Sequence, residues 1–507
     1  MIISPCYQKM AFLFNKLKFR EVVKVSVRYK NPPHHWSVIK KKKTVKDKAL
    51  EHFDEFYGSV YGNKWEDIRA SLLQEQSKYV AVVNNFSDTE RIKTELQLLG
   101  AVHLKSLYNV MKENKKNNKK NIHKNDVQNP MDTIIENIQL SEVKSIYPAN
   151  NVHSSQSLTL EENDEVPTKT DYALEPVKLQ SIEGNLNDVN IDTNRFIESS
   201  LDLTMLYEYV PATQIKGLDG YVLESEHYGF YNKAADFNVN IVKESMLQFP
   251  EHLHVYTFEK GNFSKFPSPK NGSTGVLDYY LYDGGSILPV LALDIQLGDV
   301  VLDMCAAPGG KTLTILQTLM PRIVVANDIT ESRVNRITNV MQQYVSNVCE
   351  TECMIHLTQG DARQIEEHDI YNKILVDVPC TTDRHVIHSD ENNIFKHTRI
   401  KERLRLPEVQ SEILTNALKL VRPGGTVVYA TCSLSPIQND GVVHVALKKA
   451  WEMTKSIMVV KDMSEALSPL EYLYDFANIG LKYGHIVVPT RNNNWGPMYF
   501  CKIQRVQ

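Results

Sequence analysis

Short apolar runs alternate with longer amphipathic stretches between residues 300 and 432, and this alternation limits the possible fold more than any other feature. Helical patterns such as KTLTILQTL (311–319) and PEVQSEILTNALKLV (407–421) separate the apolar runs. Strands that alternate with helices predict a parallel, doubly wound α/β sheet. The predicted strands are VVLDM (300–304), IVVAND (323–328), IHLTQGD (355–361), KILVDVP (373–379) and TVVYATC (426–432), with late strands expected within 485–504.

The rest of the chain divides by composition. Residues 31–111 have apolar side chains spaced every three to four positions and predict a helical N-terminal region. Residues 112–200 begin with a lysine- and asparagine-rich tract, and 131–200 carry 13 acidic against four basic residues. Such a segment cannot bury enough apolar surface to fold, so a disordered insert is expected. Residues 201–507 are expected to form the main domain, with its core in 270–507.

The first 30 residues differ in charge from the whole. They carry seven Lys and Arg against one acid, with apolar residues interleaved. This composition predicts a mitochondrial transit peptide and therefore a location in the mitochondrial matrix. The 507-residue chain as a whole has a net charge of −4, which excludes a protein that binds nucleic acid through overall charge. The longest apolar runs are too short for a membrane span.

A turn of small residues follows the first predicted strand of the α/β region. The sequence VVLDMCAAPGGKT (300–312) contains neither the dinucleotide fingerprint nor a complete phosphate loop. Its alanines and glycines would allow a ligand to approach the backbone closely. A nucleoside ligand without a pyrophosphate would need neither motif.

Three acidic residues follow the next three strands. Asp328 ends the second strand, Asp361 follows the third and Asp377 ends the fourth. All three should lie at the carboxyl edge of the sheet, where an acid commonly binds ribose hydroxyls. The pattern favours S-adenosylmethionine over a nucleotide, because the sulfonium needs no phosphate cradle, although a nucleotide stays possible on this argument.

Two of the seven cysteines follow strands at this same edge. Cys380 lies in DVPC and Cys432 in TCS, and adjacent parallel strands would bring the two together. Most free cysteines are inert, buried side chains. A thiolate can, however, add to C6 of cytosine, after which C5 becomes nucleophilic and attacks a methyl donor. A carboxyl group near N3, such as that of Asp377, would stabilise the charge that develops on the ring. The irregular spacing of the cysteines predicts neither a disulfide framework nor a metal site.

These motifs, DMCAAPGGKT, DVPC and TCS in this order, resemble those of the Nop/Sun family of RNA cytosine-5 methyltransferases. The variant DVPCTTDRH resembles the mitochondrial branch that acts on small-subunit ribosomal RNA, as do FDEFYGSVYGNKWEDIRASLL and NWGPMYFCK. The resemblance covers about residues 45–90 and 250–505. It implies a Rossmann-like fold of the S-adenosylmethionine-dependent methyltransferases.

The resemblance also implies roles for individual residues. Cys432 is the expected nucleophile, and Cys380 the expected aid to product release. A helical-repeat partner from the mitochondrial termination-factor family is implied as well, and would supply RNA binding. The cofactor residues expected by position or resemblance are Cys305, Ala306, Gly309, Gly310, Lys311, Asp328, Arg333, Asp361 and Asp377.

Three alternatives stay open at this point. The same chemistry could act on transfer RNA. The fold could instead hold ribosomal RNA without catalysis, as an assembly factor. A DNA cytosine methyltransferase would use the cysteine of the P-C motif as its nucleophile and would lack the second cysteine, so the pair favours RNA.

Overall fold

The computed structural model describes residues 43–120, 239–345 and 354–507, with the backbone alone for 116–120. The predicted transit peptide and most of the predicted insert lie outside these residues. The strands are β1 (Tyr79–Val83), β2 (Val102–His103), β3 (Asn240–Lys243), β4 (Val255–Thr257), β5 (Tyr279–Asp283), β6 (Val300–Asp303), β7 (Ile323–Asp328), β8 (Ile355–Gln359), β9 (Tyr371–Asp377), β10 (Val421–Thr431), β11 (Met458–Asp462), β12 (His485–Val487) and β13 (Met498–Arg505). The α-helices are α1 (Val45–Tyr61), α2 (Trp65–Leu72), α3 (Thr89–Leu98), α4 (Leu104–Lys120), α5 (Ile287–Ala292), α6 (Gly310–Gln317), α7 (Glu331–Tyr344), α8 (Asp383–His388), α9 (Ile400–Leu420), α10 (Val442–Thr454) and α11 (Ser464–Leu467).

The larger sheet has the order β3-β11-β13-β10-β9-β6-β7-β8 within the described residues, with β12 added beside β13. Strands β10, β9, β6, β7 and β8 run parallel to one another, whereas β13 is antiparallel to its neighbours. The expected α/β fold with a mostly parallel sheet is therefore confirmed. All five predicted strands between 300 and 432 are present, and their carboxyl ends meet at one edge.

Hydrophobic cores lie on both faces of this sheet, because successive side chains of a strand point to opposite faces. In β9, Ile374 and Val376 join the core formed with α1, α9 and α10, while Leu375 joins the core formed with α5, α6 and α7. Burial on both faces explains why these central strands are continuous apolar runs rather than alternating ones.

The N-terminal region is helical over α1 and α2, as expected, but it also contributes strands. β1 and β2 pair with β4 and β5 in a second sheet of the order β2-β4-β1-β5. The expected boundary between an N-terminal region and a main domain that starts at residue 201 therefore does not separate two packing units. Short strands such as β1 depend on partners far along the chain, which local periodicity does not reveal.

One further detail differs from the sequence expectations. Helix α9 begins at Ile400 rather than at Pro407. Pro407 stands inside α9, whose first turns carry the ion pairs Arg399–Glu402 and Arg405–Glu408. In the part of the chain that the structure covers, no helix is long and apolar enough to cross a membrane.

Gly284, which follows β5, provides a test of the packing near the sheet edge. A Cβ at this position would lie 2.5 Å from the indole ring of Trp495, which is 1% exposed. We expect Gly284→Ala to lower the free energy of unfolding by about 1–3 kcal/mol, because the buried indole has little room to shift. Urea unfolding followed by circular dichroism measures the change.

Gly58→Ala is the matched control for this substitution. Gly58 lies in α1, and a Cβ there would meet Trp65 at 3.7 Å, an ordinary contact. Alanine is favoured over glycine inside a helix by about 0.5–1 kcal/mol, so this variant should be no less stable than the parent protein. Equal unfolding midpoints for the two variants would contradict the packing described for Trp495.

Candidate active site

The loops after β9 and β10 meet at the carboxyl edge of the sheet. The two strands are parallel neighbours, and Ala430 of β10 lies opposite Asp377 of β9. This register brings Cys380 and Cys432 together, with 3.1 Å between their sulfur atoms, and both are free thiols. The expected proximity of the two cysteines is confirmed, whereas their roles in catalysis stay a prediction.

Cys432 is the more exposed of the two cysteine residues, since Cys380 is only 9% exposed and Cys432 is half-buried. The pKa of Cys432 is raised well above its ordinary value, first by the hydrogen bond with Cys380 and then by burial. The positive charge of Lys311 acts in the opposite direction and lowers it. The thiolate of Cys432 is therefore scarce at neutral pH and depends on Lys311 for its stabilisation.

Lys311, in the first turn of α6, forms an ion pair with Asp377. The distance from Nζ to Oδ2 is 2.7 Å, and the lysine side chain is only 12% exposed. Burial by itself would lower the pKa of Lys311, but the charge and hydrogen bond of Asp377 outweigh it and leave this pKa above its ordinary value. Sequence reasoning treated Lys311 and Asp377 as separate cofactor residues, whereas the structure joins them to each other beside Cys432.

The turn between β6 and α6 is compact because of its glycines. Gly309 has a φ of 109°, a conformation that favours glycine, and a Cβ on Gly310 would lie 3.0 Å from the ring of Tyr280. The space beside Gly310 is thus filled by Tyr280. This packing is a second reason for glycine, besides the close approach of a ligand that the sequence suggested.

Asp328 at the end of β7 is buried and already has three donors. It accepts hydrogen bonds from the backbone N–H groups of Ala307 and Ile329 and from Nε of Arg333, the last at 2.6 Å. A carboxylate has about four lone-pair sites, so one remains for a ligand hydroxyl. The expected neighbours Cys305 and Ala306 lie in this same turn, and burial raises the pKa of the Cys305 thiol.

Asp361 lies after β8, at the expected edge, but its carboxylate is paired with Arg363. Both oxygens accept from the guanidinium, one of them at 2.7 Å from Nη2, and Arg363 also reaches Glu412. These contacts, above all the hydrogen bond of Arg363, lower the pKa of Asp361. Asp361 therefore lies at the predicted edge of the sheet, with an internal partner that the sequence did not indicate.

Asp303, the last residue of β6, is a buried acid that sequence reasoning missed. Its Oδ2 accepts from the Thr312 hydroxyl at 2.7 Å, whereas its Oδ1 is buried without a hydrogen-bond partner. Burial raises the pKa of Asp303 to about 7. An unpartnered carboxylate oxygen costs free energy, so the site favours a donor from a ligand. Its position directly before the small-residue turn could have signalled it.

The residues at this edge fit an S-adenosylmethionine molecule. The Oδ1 atom of Asp303, which has no hydrogen-bond partner, suits an ammonium group, and the remaining lone pair of Asp328 suits a ribose hydroxyl. Among the described side chains, no cluster of three or more His, Cys, Asp and Glu residues could hold a metal ion.

A cleft with a volume of about 470 Å³ opens beside Cys432. Arg384 lines it, and its guanidinium donates to Gly496 O and to Asn494 Oδ1, which leaves Nη1 buried without a partner. The cleft thus extends to Cys432. Its lining residues are Gln74, Glu75, Ser77, Asp283, Ser286, Thr382, Arg384, His385, His388, Cys432, Gly496, Pro497 and Met498.

The sequence of the chain is similar to those of known RNA methyltransferases. Residues 290–503 match the family model described as 16S rRNA methyltransferase RsmB/F. The 5-cytosine rRNA methyltransferase NSUN4 of Xenopus laevis is 34% identical over 90% of this chain and 90% of its own length. The corresponding nsun-4 protein of Caenorhabditis elegans is 32% identical over 95% of this chain and 97% of its own length. The mitochondrial tRNA (cytosine(34)-C(5))-methyltransferase of Danio rerio is 33% identical over 48% of this chain and 65% of its own length.

The opposing effects of Cys380 and Lys311 on Cys432 can be measured by alkylation. We expect iodoacetamide to modify Cys432 faster in Cys380→Ala, because the largest cause of its raised pKa is removed. Lys311→Gln should slow the same reaction several-fold, since each unit of pKa changes the thiolate fraction about tenfold below the pKa. In all variants the rate should rise with pH through the neutral range. Mass spectrometry of the Cys432 peptide gives the rates.

Lys502→Gln is the matched control for the loss of a buried lysine. Lys502 also forms a 2.7 Å ion pair, with Glu244, and its side chain is 6% exposed. It lies in β13 and is not among the charges that affect the Cys432 thiol. Slower alkylation in Lys502→Gln as well, or unchanged alkylation in Lys311→Gln, would argue against the electrostatic role of Lys311.

Proposed function

The chain belongs to the RsmB/F family of Sun-domain RNA cytosine-5 methyltransferases, and on that premise we propose that it methylates C5 of a cytosine in the small-subunit ribosomal RNA of mitochondria. The observation that carries this proposal is the pair of thiols 3.1 Å apart beside the Lys311–Asp377 ion pair. Two cysteines at the ends of adjacent strands suit a reaction in which one thiol adds to the base and another assists its release.

S-adenosylmethionine is the cofactor of this family, and when bound it supplies an electrophilic methyl group. The residues proposed to hold it are Cys305, Ala306, Gly309, Gly310, Lys311, Asp303, Asp328, Arg333, Asp361 and Asp377. Arg333 and Asp328 keep each other oriented, and the pKa of Arg333 is raised by this hydrogen bond. A preformed ion pair at the cofactor edge needs no rearrangement when the ligand binds.

Cys432 is the proposed nucleophile because it lines the cleft and is the more exposed thiol. The thiol must lose its proton before it adds to C6 of the cytosine ring. Its raised pKa opposes this loss, and the ammonium of Lys311 favours it. A new S–C6 bond then makes C5 an enamine-like carbon that can take up the methyl group.

Asp377 is proposed to stabilise the ring while C5 reacts. Its carboxylate is fixed by Lys311, so it can face N3 of the base with little freedom to turn away. Addition of the thiolate places negative charge on N3, so the carboxyl group acts there by donating a proton to N3, and the Lys311 ammonium balances the carboxylate that remains. Lys311 thus serves two partners, the carboxylate of Asp377 and the thiol of Cys432.

Cys380 is proposed to assist the end of the reaction. After methyl transfer, the C5 proton leaves and the S–C6 bond breaks, which returns the electron pair to the Cys432 sulfur. A neighbouring thiol can exchange a proton with that sulfur as it departs, and the 3.1 Å separation allows this exchange. Without Cys380 the covalent enzyme–RNA adduct should persist.

Ribosomal RNA is the proposed substrate because the relatives that match most of the chain are named as rRNA methyltransferases. Transfer RNA is the second candidate, since a mitochondrial tRNA enzyme matches part of the chain. A contribution to ribosome assembly belongs to the same proposal. The mitochondrial matrix is proposed from the basic first 30 residues and the mitochondrial relative.

A helical-repeat partner of the mitochondrial termination-factor family is proposed to share the binding of RNA. Two arginines at the start of α9 have internal partners: Arg399 pairs with Glu402, and Arg405 pairs with Glu408. With a net charge of −4, the chain carries little excess positive charge for phosphate contacts. A partner that presents a basic surface would supply them.

The fate of the Cys380→Ala variant tests the proposed function. We expect this variant, with S-adenosylmethionine and mitochondrial small-subunit rRNA, to form a protein–RNA adduct that survives a denaturing gel. The physical reason is that Cys432 can still add to the base, whereas its release is impaired. The helical-repeat partner is included in the reaction.

The controls for this assay separate the proposed roles of the two thiols from the proposed identity of the substrate. The double variant Cys380→Ala/Cys432→Ala should show no adduct. An active parent protein without an adduct in Cys380→Ala would contradict the roles of the two thiols. A parent protein that is inactive on rRNA and active on transfer RNA would instead contradict the substrate. Methylation that survives Cys432→Ala but not Cys380→Ala would indicate the mechanism of a DNA methyltransferase.

A further inference from the structure

The carboxylate of Asp383 lies three residues after Cys380 and is completely buried. Burial raises its pKa, and hydrogen bonds oppose this rise. Oδ2 accepts from the Tyr57 hydroxyl at 2.8 Å and from the Leu434 N–H at 2.7 Å, and the Thr381 hydroxyl donates to Oδ1. The Ser433 hydroxyl donates to the same group at 3.2 Å. One side chain thus collects donors from its own loop and from two distant segments.

The donors flank both cysteines. Thr381 directly follows Cys380, and Ser433 directly follows Cys432. The hydroxyl oxygens of Thr381 and Ser433 also lie 2.8 Å apart, and the N–H of Asp383 donates to the carbonyl of Cys432 at 3.4 Å. The carboxylate therefore ties the two cysteine loops together at the point where the thiols meet.

Helix α1 supplies the remaining donor from a segment far from both cysteines in sequence. Tyr57 is 1% exposed and stacks on Phe53 with ring centres 4.9 Å apart. Tyr61, one turn later, donates its hydroxyl to the carbonyl of Leu434 at 2.9 Å. Both tyrosines are held by aromatic neighbours, so α1 offers two fixed hydroxyls to the Cys432 loop.

We propose that Asp383 is a positioning residue for the two-thiol site, and that Tyr57 of α1 fixes its carboxylate so that Cys380 and Cys432 stay within reach of each other. A buried carboxylate is tolerated only while its donors stay in place, so movement of either loop would leave it unsatisfied. The consequence for catalysis rests on the proposed function, whereas the effect on the distance between the thiols is independent of that function.

Asp440 provides a matched comparison within the same molecule. It is a half-buried carboxylate, and like Asp383 it has several donors: it accepts from the hydroxyl of Tyr499 and from the N–H groups of Tyr483 and Gly484. Its partners belong to the 482–484 loop and to β13. None of them directly precedes or follows Cys380 or Cys432 in sequence, and the hydroxyl of Tyr499, whose backbone pairs with Thr431, donates to Asp440 rather than to a cysteine loop. Loss of Asp440 or of the Tyr499 hydroxyl should therefore weaken the fold without moving the thiols.

Phenylarsine oxide measures the proximity of the thiols without RNA or cofactor. Two thiols replace its oxygen, two As–S bonds form, and the oxygen leaves as water with both thiol protons, with no change in oxidation state. The full chain would carry serine in place of Cys349 and Cys353, because that closely spaced pair could also bind the reagent. Cys380→Ala and Cys432→Ala should each abolish tight binding and identify the site.

We expect Tyr57→Phe and Asp383→Asn to weaken binding of phenylarsine oxide by roughly 5- to 30-fold. This range corresponds to a loss of about one or two kcal/mol of binding free energy. Tyr499→Phe and Asp440→Asn should bind within about twofold of the parent. Tyr57→Phe removes a single hydroxyl, so it tests the idea if Asp383→Asn does not fold. Folded Tyr57→Phe that binds like the parent would overturn the proposal, as would equal losses in Tyr499→Phe.

A kinetic readout links the position of the thiols to the reaction. Tyr57→Phe should lower kcat for methyl transfer and leave KM for S-adenosylmethionine unchanged, since the Tyr57 hydroxyl donates to Asp383 and not to a residue proposed to hold the cofactor. Weaker arsenical binding with unchanged kcat would mean that the thiols are not used as proposed, although Asp383 still positions them. Normal arsenical binding with a lowered kcat would overturn the positioning role while leaving the two-thiol mechanism in place.

Discussion

The parallel pairing of β9 with β10 is the constraint on which the rest of the site depends. The two strands lie in the middle of the larger sheet, with both faces covered by helices. A shift of one strand by one residue would therefore turn each of its core side chains to the opposite face of the sheet. Their register sets Ala430 opposite Asp377. The loops that follow therefore start side by side, and two cysteines that are 52 residues apart come into contact.

Charged groups at this edge gain their properties from burial. Lys311 and Asp377 satisfy each other, the carboxylate of Asp383 is surrounded by donors, and one oxygen of Asp303 is left without a partner. Isolated buried charges are costly, so each arrangement restricts how the chain can move. The same restriction holds the thiol of Cys432 next to a cation, where a thiolate is easiest to form. Stability and reactivity thus share one set of contacts.

The sequence allowed the strands, the carboxyl edge and the two cysteines to be predicted, because apolar runs and strand-end residues are local signals. It did not reveal that Lys311 pairs with Asp377, since either residue alone is consistent with a cofactor role. Asp383 was missed because the hydroxyl of Tyr57 that partners it lies 326 residues away in sequence. The second sheet was missed for the same reason: β1 and β2 are short and find their partners only after residue 254. Contacts between distant segments leave no periodic pattern in either one.

The attack of Cys432 on the cytosine ring is the central claim, and a substrate that cannot complete the reaction tests it most directly. RNA that carries 5-azacytidine has a nitrogen in place of C5 and no proton to lose after methyl transfer, so the covalent adduct should persist with the unaltered protein. Tryptic digestion separates the two cysteines, because Cys380 lies in the peptide 374–384. The nucleotide mass on the peptide that contains Cys432 is the predicted result. The same mass on residues 374–384 would show that Cys380 is the nucleophile and would contradict the account.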